Sequence, residues 1–198
     1  MAKEDFSERF VSGEEIFSGR LLKVRRDTVR MPDGAHATRE YIRHPGAVAI
    51  LPLTADGQVV LERQYRYPNA RDFIEIPAGK VEPGEDLLET AKRELLEETG
   101  YAAGEWQRLT TIHNAIGYSD EAIELYCARS LEKRKQKLDA EEFLEVIELP
   151  FAEAVAMVRD GRVTDVKTIV ALLWMESSEQ GNPAGSPVTP SLRPPVRG

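Results

Sequence analysis

The sequence predicts an α/β fold, a mixed β-sheet sandwiched by helices and preceded by an N-terminal β-hairpin. Three observations predict it. Short strand-like runs lie before, between and after helical patterns, as layered α/β domains require. The strongest helical pattern, Asp86 to Thr99, ends at Gly100, the residue type that most readily takes the left-handed conformation past a helix end. With 198 residues, 41% hydrophobic and 30% charged, the chain can bury a core without disulfides or metals.

The elements follow in order. Residues 16–43 read as a hairpin: Leu21–Val24 and Thr28–Met31 lead to the turn Pro32-Asp33-Gly34, and Arg39–Arg43 returns. A second hairpin is predicted from Val48–Leu53, the turn Ala55-Asp56-Gly57 and Val59–Gln64. Phe73–Pro77 reads as a strand that stops at Ala78-Gly79, just before the helix. Further strands are expected at Leu109–His113, Ile123–Ala128 and Phe143–Glu148, then helices at about Phe151–Asp160 and Thr164–Glu176. This divides the chain into an N-terminal hairpin region at 1–45, a main α/β domain at 46–176 and a tail at 177–198. The tail is rich in Pro, Gly and Ser, with almost nothing apolar to bury, and is expected to be flexible.

Charge and cysteine usage narrow the function. The net charge is -8, which argues against a nucleic-acid partner held through phosphates and against docking to anionic membranes. A phosphate-bearing substrate stays open, because bound divalent cations can reverse the local sign of a site. The single cysteine, Cys127, excludes an internal disulfide and reads as a buried thiol in a strand. The start lacks the apolar stretch of a signal peptide, and the apolar runs 47–53 and 169–175 are too short to span a bilayer. The expected setting is cytoplasmic. The run Glu132–Lys137 reads as a solvated loop rather than a basic recognition patch.

The chemistry concentrates around Asp86–Thr99. At about 100° per residue, Glu97 and Glu98 fall roughly 60° to one side and 40° to the other of Glu94, so the three would share one face. Leu88, Ala91 and Leu95 occupy the neighbouring arc, which would pack on the sheet. Like charges at this spacing repel, and a hard divalent cation with oxygen ligands accounts for them well. Glu85 would lie away from that face and could instead orient Arg93 or the loop.

Gly79, Glu85, Arg93, Glu94, Leu95, Glu97, Glu98, Gly100 and Tyr101 match the pattern G-x5-E-x7-R-E-U-x-E-E-x-G-U, with an aromatic at a last position that is more often aliphatic. On these residues the chain resembles the Nudix hydrolases. The resemblance implies an α/β/α sandwich and a metal site on a loop–helix–loop. It also implies hydrolysis of a nucleoside diphosphate linked to another group, with Mg²⁺ as cofactor or Mn²⁺ in its place. Carried over, Glu94 and Glu98 would be the main metal ligands, with Glu97 a further or orienting one and the Ala78 carbonyl another; Gly79, Glu85 and Arg93 would shape and support the site.

Outside this box the chain resembles the ADP-ribose pyrophosphatase group. The resemblance rests on Arg39-Glu40-Tyr41, His44–Val48, Glu62–Tyr67, Glu75–Lys80, Gly117–Glu121 and Glu141–Val146. One departure stands out: Ala115-Ile116-Gly117 occupies the place where that group usually carries Pro-Gly. The implied reaction takes ADP-ribose to AMP and ribose 5-phosphate. Rivals are the same chemistry on a nucleotide sugar such as GDP-mannose, and a non-catalytic nucleotide-binding regulatory module. The resemblance places a general base in the loop before Phe143, where Glu142 leads, Glu141 is second and Asp139 competes. Arg66 is the candidate phosphate grip, since its planar fork suits oxyanions, and Arg63 would point to the other strand face. Glu75 and Glu121 are candidate substrate contacts. Arg39 resembles a residue that stacks on the base of a dimer partner's substrate, and a surface arginine is an equal reading. A homodimer is expected, because a small hairpin needs a surface to pack on.

Overall fold

The structure is a computed structural model that describes residues 5–138 and 142–181. It divides into two compact units: the residues up to Pro45 together with His113–Ala122, and Gly46–Ile112 together with Ile123 onward.

In the first unit β1 (Arg9–Ser18), β2 (Lys23–Arg30) and β3 (His36–Arg43) form an antiparallel sheet in the order β1-β2-β3. The expected hairpin is its β2–β3 half, closed by Met31 N–H to Ala35 O at 2.8 Å with Gly34 at φ 88°. The strand β1 escaped the sequence because it alternates poorly and is exposed along its whole length. Its pairing with β2 leaves no room for a side chain at Gly13, where a Cβ would fall 1.9 Å from Asp27 Oδ1. Asp27 is buried and held by Tyr41 Oη at 2.9 Å and Arg25 Nη2 at 3.3 Å. The segment 113–122 joins this unit through Ile42 N–H to Tyr118 O at 2.8 Å and Asp120 N–H to Ile42 O at 3.2 Å.

The second unit holds two sheets. One, in the order β7-β4-β9-β8, is mixed: β4 (Ala47–Pro52) runs parallel to β9 (Ile123–Lys133) and antiparallel to β7 (Ala78–Lys80), while β8 (Tyr101–Ile112) lies antiparallel on β9. The other, β10-β5-β6, is antiparallel, built from β5 (Gln58–Arg66), β6 (Arg71–Glu75) and β10 (Leu144–Pro150). The helices are α1 (Leu87–Glu94), α2 (Phe151–Arg159) and α3 (Val166–Gly181), the last running past Glu176.

The second expected hairpin is corrected here. The chain does turn at 54–57, with Thr54 N–H to Gln58 O at 2.9 Å, but β4 and β5 then enter different sheets and share only the bridge Leu53–Val59. The cause is the composition of β4. Every residue of Ala47–Pro52 is buried, so the strand must be covered on both faces and paired on both edges. Ala49 and Leu51 pack with Leu125, Ala154, Val155 and Leu172 on the α2/α3 side. Val48 and Ile50 pack with Ala91, Leu95 and Tyr126 on the α1 side. Each fully buried Ile or Leu here contributes on the order of 1.5–3 kcal/mol. Cys127 is buried in the first of these layers, an unreactive setting.

Candidate active site

The site is built where β6, β7 and α1 meet. Asp86 caps α1 by accepting the Leu88 N–H at 2.9 Å, and Gly100 closes the far end at φ 73°. After β6 the chain is pinned twice: Ile76 N–H donates to Thr168 Oγ1 at 2.9 Å, and Ile50 N–H donates to Pro77 O at 2.9 Å. These bonds set Ala78 and Gly79 against the helix. Ala78 N–H donates to Glu98 Oε2 at 2.9 Å. At Gly79 a Cβ would fall 1.9 Å from Glu94 Cδ, so the absent side chain leaves the space that the Glu94 carboxylate occupies.

Arg93 organises the acids of the box. Its Nε and Nη2 donate to the two oxygens of Glu85, each at 3.0 Å, in a bidentate fork. Its Nη1 reaches Glu94 Oε1 at 2.8 Å and Glu97 Oε2 at 3.2 Å. The Arg93 guanidinium, aided by Thr90 Oγ1 at 2.8 Å, holds the Glu85 carboxyl down to about 2. Burial pushes Glu94 the other way, above the usual carboxylate range.

The three helical glutamates do not form one equivalent face. From Leu95 to Thr99 the helix widens into a π turn, a feature often found at functional sites, and the spacing of about 100° per residue fails there. Glu98 consequently turns inward and is only 6% exposed, while Glu94 and Glu97 stay half-buried on Arg93. The chain beyond β9 folds over the helix end. Lys137 N–H donates to Glu97 O at 3.1 Å and Gln136 Nε2 donates to Glu98 O, so a backbone amide and a neutral side chain meet two orphan carbonyls of the helix end while the charged side chains of 132–137 stay exposed.

Two site residues escaped the sequence. Glu62 is 3% exposed on β5, directly opposite Glu75 on β6. Like charges placed opposite each other in a sheet are unfavourable, and the two are treated unequally. Glu75 receives the Arg66 fork at 2.7 and 2.8 Å and the Lys167 ammonium; against its burial, these partners hold it ionised and below the usual range. Burial, then the charge of Glu75, raises Glu62; burial, then the charge of Glu62, raises Glu98. The available signal for Glu62 was an acid directly after the apolar run Val59-Val60-Leu61. Lys167 carried none, since one lysine at a helix start is ordinary.

The charge of Glu142 bears on Glu62, Glu94 and Glu98, after the larger effects of burial and nearer charges. Glu141 and Asp139 lie outside the described residues. Arg63 pairs with Glu145 at 2.6 Å, on the strand face away from Arg66. Within the first unit, Arg39 is held by Glu8, its Nε donating to Glu8 Oε2 at 3.0 Å, and Glu121 accepts from Asn114 Nδ2 at 3.2 Å with His44 Nε2 at 3.5 Å.

Among the described residues no three acidic, histidine or cysteine side chains close together into a ready metal cage. The donors nevertheless suit a hard divalent cation. They are oxygens only, the space at Gly79 admits the Glu94 carboxylate, and Glu62 Oε1 is buried with no hydrogen-bond partner among the described residues. Mg²⁺ commonly needs only one or two carboxylates, with waters and phosphates completing its shell.

A NUDIX domain model matches residues 43–172, and a model of the nucleoside diphosphate sugar hydrolase N-terminal domain matches residues 8–42. The chain belongs to the NUDIX family. It is a NUDIX hydrolase, and this family works with a divalent metal. It is 42% identical over 176 residues to the methanol dehydrogenase activator of Bacillus methanolicus, across 88% of this chain and 95% of that protein. Against the ADP-ribose pyrophosphatase of Bacillus subtilis identity is 37% over 178 residues, covering 89% and 96%. A GDP-mannose pyrophosphatase of Pectobacterium atrosepticum is 36% identical over a shorter 141 residues, 67% of this chain and 72% of that protein. The crystal structure of an ADP compounds hydrolase superposes with a TM-score of 0.79 at 22% identity, covering 91% and 99%, which shows the NUDIX fold. No helix among the described residues is long and apolar enough to cross a membrane.

Proposed function

We propose that this NUDIX hydrolase cleaves the pyrophosphate of ADP-ribose with water, giving AMP and ribose 5-phosphate, and that its metal is Mg²⁺, for which Mn²⁺ can substitute. The observation that carries the reading is the placing of Glu98 and Glu94 against the Ala78–Gly79 turn, Glu98 accepting the Ala78 N–H and Glu94 filling the space beside Gly79. The relation to an ADP-ribose pyrophosphatase, 37% identical across 89% of the chain, supports this substrate over GDP-mannose, two of whose enzymes match at 34–36% across 67–82% of it.

Glu94 and Glu98 would hold the cation, with Glu97 and the Ala78 carbonyl supporting. The cation, when bound, polarises the diphosphate and lowers the pKa of attacking water. Arg93 keeps the acids in place through Glu85, and Gly79 keeps the turn close. Arg66 would grip a phosphate while Glu75 fixes its guanidinium plane. Glu142 would take the proton of the attacking water, with Glu141 second. Glu121 would hydrogen-bond substrate hydroxyls, and Arg39 would stack on the base of the substrate held by a dimer partner.

We also place the protein in the cytoplasm, acting as a homodimer with a small nucleoside diphosphate rather than nucleic acid or membrane as partner. Exposed apolar side chains on β1, Phe10, Val11, Ile16 and Phe17, support this reading, since a second copy could cover them. Sedimentation at micromolar concentration checks the dimer, and a monomer there would overturn it.

The deciding experiment compares kcat/KM for ADP-ribose, GDP-mannose and other nucleoside diphosphates, with Mg²⁺, with Mn²⁺ and with a chelator. ADP-ribose should lead and the chelator should abolish turnover; preference for GDP-mannose would transfer the assignment. The activator named among the relatives suits the rival regulatory reading, in which nucleotide is bound without cleavage even with Mg²⁺ or Mn²⁺ present. The catalytic reading expects cleavage that Glu98→Gln abolishes.

A further inference from the structure

Glu62 is the buried acid that neither the box nor the fold explains. It follows Val59, Val60 and Leu61 on β5, each fully buried, at a place where an apolar residue would cost far less. Arg66 and Lys167, the cations whose charge reaches it, are both bonded to Glu75 across the sheet. Its Oε1 has no hydrogen-bond partner among the described residues. The other buried carboxylate oxygen without a hydrogen bond, Glu124 Oε1, has Arg108 Nε against it in an ion pair, so its charge is met. The charge of Glu62 is not: the carboxylates of Glu75 and Glu142 act on it, and it acts in turn on Glu98. Glu62 thus stands on β5 with a buried oxygen unbonded, opposite an acid whose charge Arg66 and Lys167 already meet, and such a carboxylate is stabilised by a cation that arrives from outside the protein.

We propose that Glu62 is a further ligand-side residue of the divalent-cation site, so that a cation is flanked by Glu98 from the helix end and by Glu62 from β5. Two carboxylates on two different elements suffice for a Mg²⁺-like ion that keeps several waters. The inference rests on the metal reading of the NUDIX site and adds a residue that lies outside the box.

The test uses the full-length, metal-free protein with Mn²⁺ as the probe. Free Mn²⁺ is followed by electron paramagnetic resonance during titration, and Tm is measured with and without Mn²⁺. Glu62→Gln should raise the Tm of the metal-free protein, because it removes a buried charge. It should also weaken Mn²⁺ binding by about 10–100-fold and shrink the Tm gain on adding Mn²⁺. Glu62→Asp keeps the charge but shortens its reach; it should weaken Mn²⁺ without the rise in metal-free Tm, and it serves if the Gln variant folds poorly. Unchanged Mn²⁺ affinity in both Glu62 variants, with weakened binding in Glu98→Gln, would overturn the role of Glu62. Unchanged affinity in Glu98→Gln as well would overturn the underlying metal reading with it.

Discussion

The Ala78 backbone N–H donates to Glu98 Oε2 at 2.9 Å, and this one bond ties the turn after β6 to the π-widened end of α1. It lets a carboxylate that burial pushes toward the neutral form keep a fixed orientation, with its other oxygen left for chemistry.

Glu98→Gln keeps an oxygen for the Ala78 N–H while removing the charge. We expect an intact fold with a metal-free Tm at or above that of the parent. Turnover should fall by more than the roughly 10–100-fold typical of groups that merely support metal ligands. Steady-state kinetics at saturating Mg²⁺, beside a melting curve, checks this; near-normal kcat would remove Glu98 from the site.

Gly79→Ala should act on Glu94 and little on the backbone. The added Cβ would fall 1.9 Å from Glu94 Cδ, and the group that must move is the end of a flexible side chain. Mn²⁺ affinity should therefore drop while circular dichroism and Tm stay close to the parent. A large loss of Tm with unaltered Mn²⁺ binding would contradict this.

Glu85 gives an acid-side prediction. Bonded by Arg93, it titrates at about 2 in the fold against an ordinary 4.5. A depressed folded pKa adds stability that is fully present above the unfolded value and is lost as pH falls toward the folded one. The stability difference between the parent and Glu85→Gln should be constant above about pH 5 and should shrink between about pH 4.5 and 2. Denaturant midpoints across that range would show it; a difference independent of pH would not fit.

Thr168→Val tests the latch under the active-site turn. Thr168 is fully buried, accepts the Ile76 N–H at 2.9 Å and donates to Asp165 Oδ2 at 2.6 Å. The isosteric change leaves a buried N–H unpaired, at a cost of about 1–3 kcal/mol. Urea titration should place the variant in that range.

The sequence carried the box and the end of its helix at Gly100 because both are written locally, whereas the apolar run Val48–Leu53 gave a strand but not its burial on both faces. It misjudged the helical face, since residue spacing does not announce a π turn at Leu95–Thr99. The solvated reading of Glu132–Lys137 holds for its exposed side chains, while the Lys137 N–H and the Gln136 amide reach carbonyls of the helix end that the sequence does not announce.

By itself, then, the sequence determined the chemistry of this protein: oxygen donors at a fixed spacing, the glycine beside them and the arginine among them. The tertiary structure alone decided that Glu62 sits opposite Glu75, that Lys167 answers Glu75 instead of Glu62, and that β4 and β5 part into separate sheets. The physical reason is range. Caps, turns and motif spacing act within a helical turn or two, whereas the partner of a buried charge is set by strand register and by helices packed from distant parts of the chain.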